Sequence, residues 1–391
     1  MSRRRRVGDR GTTVLVAHPG AELYGSDRVL LESVSAYVGA GWRVVAALPE
    51  RGPLVRELEA RGARVAIVPT PVLRKSALRP LGLVRLGLDG CRGVWHGTRL
   101  IRAVRPTLVY VSTVTIPLWS VLGRLFRCQV LVHVHEAEGS ARTLVRTLLA
   151  APLLAADRIL VNSEFSLSVL TRAVPALATR STVLYNGVVG PEKPVPPRGS
   201  VDGPLRLLYV GRLSPRKGVD LAVAAAVLLV AEGCSVTLDI VGDVFPGYEW
   251  YEAELREAAR AAGAADVVRF RGFRTDVWRF LAESDVALVP SRVDEPFGNT
   301  AVEAVLAARP LVVSATSGLR EAAGGYACVR FVTPGDARAL ADAVLGIRDA
   351  WSTVRTQAIE DAVLADERHS PARYRSTLLA VVNTMRDASR G

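Results

Sequence analysis

Two carboxylates, Glu295 and Glu303, stand eight residues apart within residues 285–315, DVALVPSRVDEPFGNTAVEAVLAARPLVVSA. That stretch reads as a buried strand, a polar loop, a helix opening near Gly298 and a second strand. The backbone N–H groups of Gly298, Asn299 and Thr300 at such a helix start suit a phosphate. Glu303, about a turn into the helix, is placed to accept hydrogen bonds from ribose hydroxyls, and Glu295 lies in the loop where a sugar would sit. Pro296 and Gly298 shape the approach to it. An arbitrary pair of acids at a helix start has an ordinary explanation too, because the macrodipole favours negative charge there.

A second cluster is cationic. In residues 205–220, LRLLYVGRLSPRKGVD, a strand ends at Gly211, and Arg212 and Lys217 follow in the loop before a helix, with Arg216 as a weaker neighbour. Two cations at a strand end beside a helix amino terminus would neutralise a diphosphate. Isolated basic residues are more often solvated surface charge. In residues 130–136, VLVHVHE, His133 and His135 alternate onto one face of a strand, a spacing that would suit a metal pair, but no third ligand is evident. Gly25, in GAELYGSDRV after the first strand, could admit close approach of a substrate or phosphate; a plain strand-to-helix turn is the competing reading.

These residues need rigid elements to hold them, and the chain supplies a regular alternation of short β-branched runs with longer helical patterns, the signature of parallel βαβ architecture. Strands are expected at residues 13–17, 43–47, 64–68, 108–111, 130–135, 158–162 and 182–185, with a helix over 27–40 that ends at Gly41. Residues 190–204, GPEKPVPPRGSVDGP, continue neither a helix nor a central strand and read as a domain boundary. Strands resume at 205–210, 235–241, 267–271, 286–290 and 310–314, followed by helices near 337–350 and 373–388. Two doubly wound α/β domains in tandem is the economical reading, and in such sheets ligands bind beyond the carboxyl ends of the strands.

The glycine loop, HVHE, VNSEFS, LYNGV, the proline-rich stretch, GRLSPRKG, and EPFG with its downstream EA and PLVVS resemble, in that order along the chain, the family 4 retaining glycosyltransferases (glycosyl transferases group 1). Glu295 and Glu303 match the family's E-x7-E signature. The resemblance implies the GT-B fold, two doubly wound Rossmann-like α/β domains facing a central cleft. Residues 1–190 would be the acceptor-binding domain, 191–204 a linker, 205–370 the nucleotide-sugar-binding domain and 371–391 a helix packing back toward the first domain. It implies His135, Glu295, Arg212 and Lys217 as the catalytic set, with His135 chosen over His133. The nucleotide-sugar site would comprise Gly25, Gly211, Arg212, Lys217, Gly242, Phe273, Arg274, Phe297, Gly298, Asn299, Thr300 and Glu303. Where the family shows two adjacent glycines with a glutamate before the arginine, this chain has Tyr24 for the first glycine and Asp27 for the acid.

The implied reaction is transfer of a sugar, with retention, from a nucleotide-sugar to a hydroxyl of a sugar, lipid-linked or small-molecule acceptor, in cell-surface polysaccharide or glycolipid synthesis. The leaving phosphate oxygen would take the acceptor's proton on the same face. No D-x-D occurs, so neither a metal nor another cofactor is expected. A nucleotide-sugar epimerase of the same fold and a non-catalytic nucleotide-sugar-binding protein are the alternatives.

The bulk properties bound the rest. The 391 residues are 49% hydrophobic and 23% charged, which excludes a charge-rich disordered chain. Of the 50 basic residues only Lys75, Lys193 and Lys217 are lysine, an arginine bias that accounts for much of the net charge of +12. No nucleic-acid motif accompanies it, so a nucleic-acid partner is not expected. Four widely spaced cysteines suggest reduced thiols. The basic start, Met1 to Arg6, lacks the long apolar run of a signal peptide, and no run is long and apolar enough to span a membrane. The expected location is therefore the cytoplasm, at the inner face of the cell membrane if the arginines of residues 74–105, interleaved with Leu, Val and Trp95, rest on anionic lipid.

Overall fold

The computed structural model describes residues 11–23, 25–73, 80–136, 143–245 and 247–388. The chain divides into two compact units, one running to Gly187 and resuming at Tyr374, the other Val188–Arg373. Each is a parallel sheet with helices on both faces, as expected from the alternation of the sequence.

In the first unit the strands are β1 (Thr13–Ala17), β2 (Arg43–Leu48), β3 (Arg64–Ile67), β4 (Leu108–Val111), β5 (Gln129–Val134), β6 (Arg158–Val161) and β7 (Ser181–Val183). They are ordered β3-β2-β1-β4-β5-β6-β7. The connecting helices are α1 (Gly25–Gly39), α2 (Pro53–Ala60), α3 (Pro80–Val104), α4 (Pro117–Leu125), α5 (Thr143–Ala150) and α6 (Glu164–Ala173). Every residue of β1 and β4 is buried. Val14 and Val16 face one core cluster and Leu15 and Ala17 another, so the sheet is covered on both sides. Two-sided burial is why these strands read as unbroken apolar runs instead of an alternation.

The second unit holds β8 (Leu205–Val210), α7 (Val219–Ala231), β9 (Val236–Val241), α8 (Glu249–Ala261), β10 (Val268–Gly272), α9 (Trp278–Glu283), β11 (Val286–Val289), α10 (Asn299–Leu306), β12 (Leu311–Ser314), α11 (Ser317–Ala323), β13 (Val329–Val332), α12 (Ala337–Asp349) and α13 (Trp351–His369). Its strand order is β10-β9-β8-β11-β12-β13. The order of connections reverses between the parallel neighbours β8 and β11, and ligands of doubly wound sheets bind beyond the carboxyl ends of the strands at such a point. The edge strand β13 and the helix α13 were not anticipated. Polar Arg330 interrupts the four-residue strand, and α13 carries acids and arginines around a narrow apolar stripe.

The proline-rich residues 191–204, expected as a linker, are strapped to the second unit. Arg198 bonds both carboxylate oxygens of buried Asp285, at 2.8 and 2.7 Å. Trp351 donates its indole N–H to the Arg198 carbonyl at 3.1 Å, and Arg355 donates to that of Pro197 at 2.9 Å. The last helix, α14 (Pro371–Ala388), begins in the second unit and continues in the first, where Tyr374, Leu378, Val382 and Met385 join the core of β1, β2 and α1.

Candidate active site

In the second unit the residues singled out by the sequence gather where strands end. β8, β9 and β10 finish side by side, tied by the Gly211 N–H to the Val241 carbonyl at 2.9 Å and the Gly242 N–H to the Gly272 carbonyl at 3.0 Å. Gly242 has φ +149°, and a Cβ there would lie 1.8 Å from the Gly211 carbonyl oxygen. Only glycine lets these two backbones meet.

The loop after β8 is pressed onto the end of β11 in the same way. Gly218 has φ +67°, and a Cβ on it would come within 2.0 Å of the Pro290 carbonyl oxygen. The Arg292 N–H reaches the Arg216 carbonyl at 2.9 Å. This contact carries Lys217 to Glu295: Nζ lies 2.7 Å from the carboxylate. Ser291 donates its hydroxyl to the same carboxylate at 2.8 Å. The glutamate is largely buried and the lysine more than a third exposed, so the pair presents its cationic end to solvent. The Arg212 guanidinium lies 3.5 Å from the centroid of Phe245. Beneath the loop, buried Tyr209 donates its hydroxyl to the Arg212 carbonyl at 2.9 Å, and burial with nearby Glu295 pushes the phenol well above its usual range.

α10 opens at Gly298, φ +123°, with no side-chain cap, and Asn299 and Thr300 form its first turn. Glu303 sits half-buried in the next turn, while Phe273 and Arg274 are exposed beyond β10. Phe297 departs from expectation. Its ring is in the hydrophobic core, 2% exposed and edge-on to His369 at 5.7 Å, so its side chain packs the loop and leaves only its backbone for a ligand.

The first unit carries a separate polar cluster beyond its strands. Gly25 is exposed at the first residue of α1; Tyr24 lies outside the described residues. His135, one residue past β5, is buried, and among the described residues neither ring nitrogen has a hydrogen-bond partner. Burial, with neighbouring His18, pulls it down to about 3, so the ring is neutral at physiological pH. His133, on the same face with ring centroids 4.0 Å apart, is lowered by burial and then by His135. Glu136 accepts from the Thr113 hydroxyl and from the backbone N–H of His135 at 3.2 Å, yet burial holds it above the usual carboxylate range. The helix-start motif of VNSEFS is a cap: the Ser163 hydroxyl accepts from the Ser166 N–H at 2.9 Å.

Sequence reasoning missed a buried trio. His18, just past β1, has Nε2 at 2.6 Å from Asp27 and Nδ1 at 2.5 Å from the Ser112 hydroxyl. A histidine directly after a strand with an acid nine residues on was the available signal. Phe245, Ser291 and Tyr209 were missed because nothing local marks them. Among the described residues no group of three or more His, Cys, Asp or Glu side chains could hold a metal ion. No described helix is long and apolar enough to cross a membrane.

Comparison with known proteins agrees with the two-sheet fold. The sequence model of the family described as "Glycosyl transferases group 1" matches residues 204–349, and that of "Glycosyltransferase Family 4" matches residues 24–189. The chain is 35% identical over 209 residues to a glycogen synthase of Mycobacterium tuberculosis, covering 52% of this chain and 45% of that protein. It is 32% identical over 209 residues to a D-inositol 3-phosphate glycosyltransferase 2 of Catenulispora acidiphila, covering 50% and 49%. The chain thus spans about half the length of these curated relatives. Among solved structures, Anabaena Alr3699/HepE in complex with UDP-glucose superposes with a TM-score of 0.80 at 20% identity, over 95% of this chain and 99% of that one, a likeness of fold.

Proposed function

The chain belongs to the family 4, group 1 glycosyltransferases, and from that premise we propose that it moves a sugar from a nucleoside-diphosphate donor to an acceptor hydroxyl with retention of configuration. The second unit is the donor half and the first the acceptor half. The observation that carries the reading is the Lys217–Glu295 pair, held at 2.7 Å on adjoining strand ends beside an α10 whose N-terminal position has no side-chain cap.

Departure of a diphosphate builds negative charge on the leaving oxygens, and a cation and a helix amino terminus fixed beforehand stabilise it without reorganisation. Lys217 and Arg212 supply the cations in this reading; Phe245 orients the Arg212 guanidinium by stacking. Gly211 and Gly242 let the nucleotide approach the strand ends, with Phe273 and Arg274 beside the base and Glu303 on the ribose hydroxyls. Gly25 gives the acceptor half a similarly close approach. Glu295, clamped by Lys217 and Ser291, orients the sugar. His135 is neutral, with two ring nitrogens unpartnered among the described residues, which suits hydrogen bonds to sugar hydroxyls. The acceptor's proton passes to the leaving phosphate oxygen on the same face, and the cation clamp needs no divalent ion.

The acceptor belongs to polysaccharide or glycolipid synthesis, and the enzyme works at the inner membrane face. On α3 the exposed residues Leu88, Arg92, Trp95, Arg99 and Arg102 recur at helical spacing, with the Arg99 guanidinium 4.8 Å from the Trp95 ring centroid. Such an arginine and aromatic stripe fits an anionic bilayer. Arg74, Lys75 and Arg79 lie outside the described residues, as does the side chain of Arg85. Co-sedimentation with anionic but not neutral liposomes is the expected result; failure to co-sediment with either removes the membrane from the proposal.

A thermal-shift screen against UDP, GDP, ADP, TDP and their sugars, with and without magnesium, tests the donor site, because a ligand of the folded state raises its melting temperature. A selective shift that does not need magnesium is expected. No shift with any of them overturns the donor assignment. Release of a changed sugar nucleotide without an acceptor would instead identify an epimerase.

A further inference from the structure

The last helix of the chain enters the first unit with Tyr374, and its hydroxyl goes straight to the polar residues under His135. Tyr374 Oη lies 2.6 Å from Ser33 Oγ, Ser33 Oγ lies 3.0 Å from Tyr110 Oη, and Tyr110 Oη lies 2.8 Å from Nδ1 of His133. Tyr374 also approaches that nitrogen directly at 3.4 Å, with its ring nearly parallel to the imidazole at 6.2 Å between centroids. All four residues are buried, His133, Ser33 and Tyr110 completely.

Hydroxyls in a run of this kind polarise one another and favour a single direction. Ser33 also donates to the Val29 carbonyl at 3.2 Å, so its one proton is shared between that carbonyl and Tyr110; with Tyr374 donating to Ser33 and Tyr110 donating to His133, Nδ1 is an acceptor. The His133 proton then sits on Nε2, because a neutral imidazole has one donor and one acceptor nitrogen. Nε2 is buried and has no partner among the described residues, and the His133 ring lies against that of His135. No hydrogen bond of this cluster holds either His135 nitrogen, so the ring's orientation rests on packing against a neighbour whose own ring is pinned by the run.

We infer that Tyr374 is a positioning residue for His135, so that the carboxy-terminal helix, the element most remote in sequence from β1 and α1, is part of the acceptor-half site. This rests on the role proposed above for His135 as a sugar-contacting group. Tyr374 holds Ser33 and Tyr110 in register; these fix the tautomer and ring plane of His133; and His133 fixes the plane of His135. The helix does more than cover apolar surface, which Leu378, Val382 and Met385 on the same helix already do.

Tyr374→Phe removes one oxygen and keeps the ring. The chain has only five histidines, so ring-nitrogen NMR of the full-length protein labelled with 15N-histidine resolves each of them. Leu378→Ala is the packing control: a fully buried residue of the same helix whose loss weakens the fold without touching the hydroxyl run. In wild type, His133 is expected as a single neutral tautomer protonated on Nε2. In Tyr374→Phe, the His133 signals should move toward a mixture of tautomers and those of His135 should shift with them, while Leu378→Ala leaves both in place.

Nucleoside diphosphate release from the donor found in the thermal-shift screen is the second readout. Tyr374→Phe is expected to lower kcat about tenfold with the donor KM unchanged, the size of a misplaced rather than a missing group. Unmoved His133 and His135 signals in Tyr374→Phe overturn the inference, as does a wild-type kcat. A wild-type protein that binds and turns over no nucleotide-sugar, yet shows the tautomer change, overturns the function proposed for the site and leaves the positioning geometry standing.

Discussion

Replacing Lys217 with methionine separates a cation that serves the reaction from one that serves the fold. The lysine makes a 2.7 Å pair with Glu295, but its side chain is 38% exposed, and Glu295 retains Ser291 when the lysine is gone. A pair so open to water contributes no more than about 1 kcal/mol to stability, which in a unit of this size lowers the melting temperature by about 3 °C at most. The same charge about 4 Å from a departing phosphate oxygen, at an effective dielectric of about 20, is worth about 4 kcal/mol. Solvent screening brings this to about 3 kcal/mol, or about 10²-fold in rate. Lys217→Met should therefore release nucleoside diphosphate from the donor about 10²-fold more slowly, with an almost unchanged melting curve. Turnover above about a fifth of wild type would show that Lys217 is not the leaving-group cation. A fall of more than about 10 °C in melting temperature would show instead that the pair holds the fold.

The remaining expectations concern the carboxylate, the strand-end glycines, acid stability and the last helix. Glu295→Gln keeps a polar group beside Ser291 and removes the ion pair, so turnover should fall about 10²-fold while nucleoside diphosphate binding, read by thermal shift, persists; full turnover would take Glu295 out of the reaction. Gly242→Ala drives a methyl group to within 1.8 Å of the Gly211 carbonyl at φ +149°, and should cost about 3 kcal/mol or more in a urea titration. Buried His135, lowered to about 3, and His369, lowered to about 4, bind fewer protons folded than unfolded between those values and the usual histidine range. Their contribution is therefore complete above about pH 6.5 and is lost as pH falls below it, by about 1.4 kcal/mol per pH unit for each. Urea titrations at pH 7 and pH 5 read this directly, and a curve flat between them would refute it. Leu378→Ala empties a fully buried position between α14 and the first unit and should cost about 2–5 kcal/mol in the same titration.

Most of the strands were legible because both faces of a parallel sheet are covered, and two-sided burial demands unbroken apolar residues. The runs at 108–111 and 205–210 match β4 and β8 residue for residue. The edge strand β13 escaped because its two middle residues, Arg330 and Phe331, are not fully covered, which leaves a charge inside a four-residue run. Residues 190–204 read as a linker because prolines forbid regular structure; their attachment to the second unit depends on Asp285 and Trp351, which lie far along the chain. In the site, the loops carrying Lys217 and Glu295 were visible as motifs. The burial of Phe297 was not, since an aromatic in a polar loop looks the same from the sequence whether it faces a ligand or the core.

The sequence by itself determined the βαβ rhythm and the loops that carry cations and carboxylates, because these follow from residues a few positions apart and from the backbone limits of proline and glycine. Tertiary structure alone decided which of those groups touch. Lys217 meets Glu295 across 78 residues because β8 and β11 are neighbours in a sheet where β9 and β10 intervene in sequence. Tyr374 reaches His133 across 241 residues because the final helix buries its apolar face on the first unit's core. Strand order and helix docking are set by the packing of the whole chain, and no local pattern contains them.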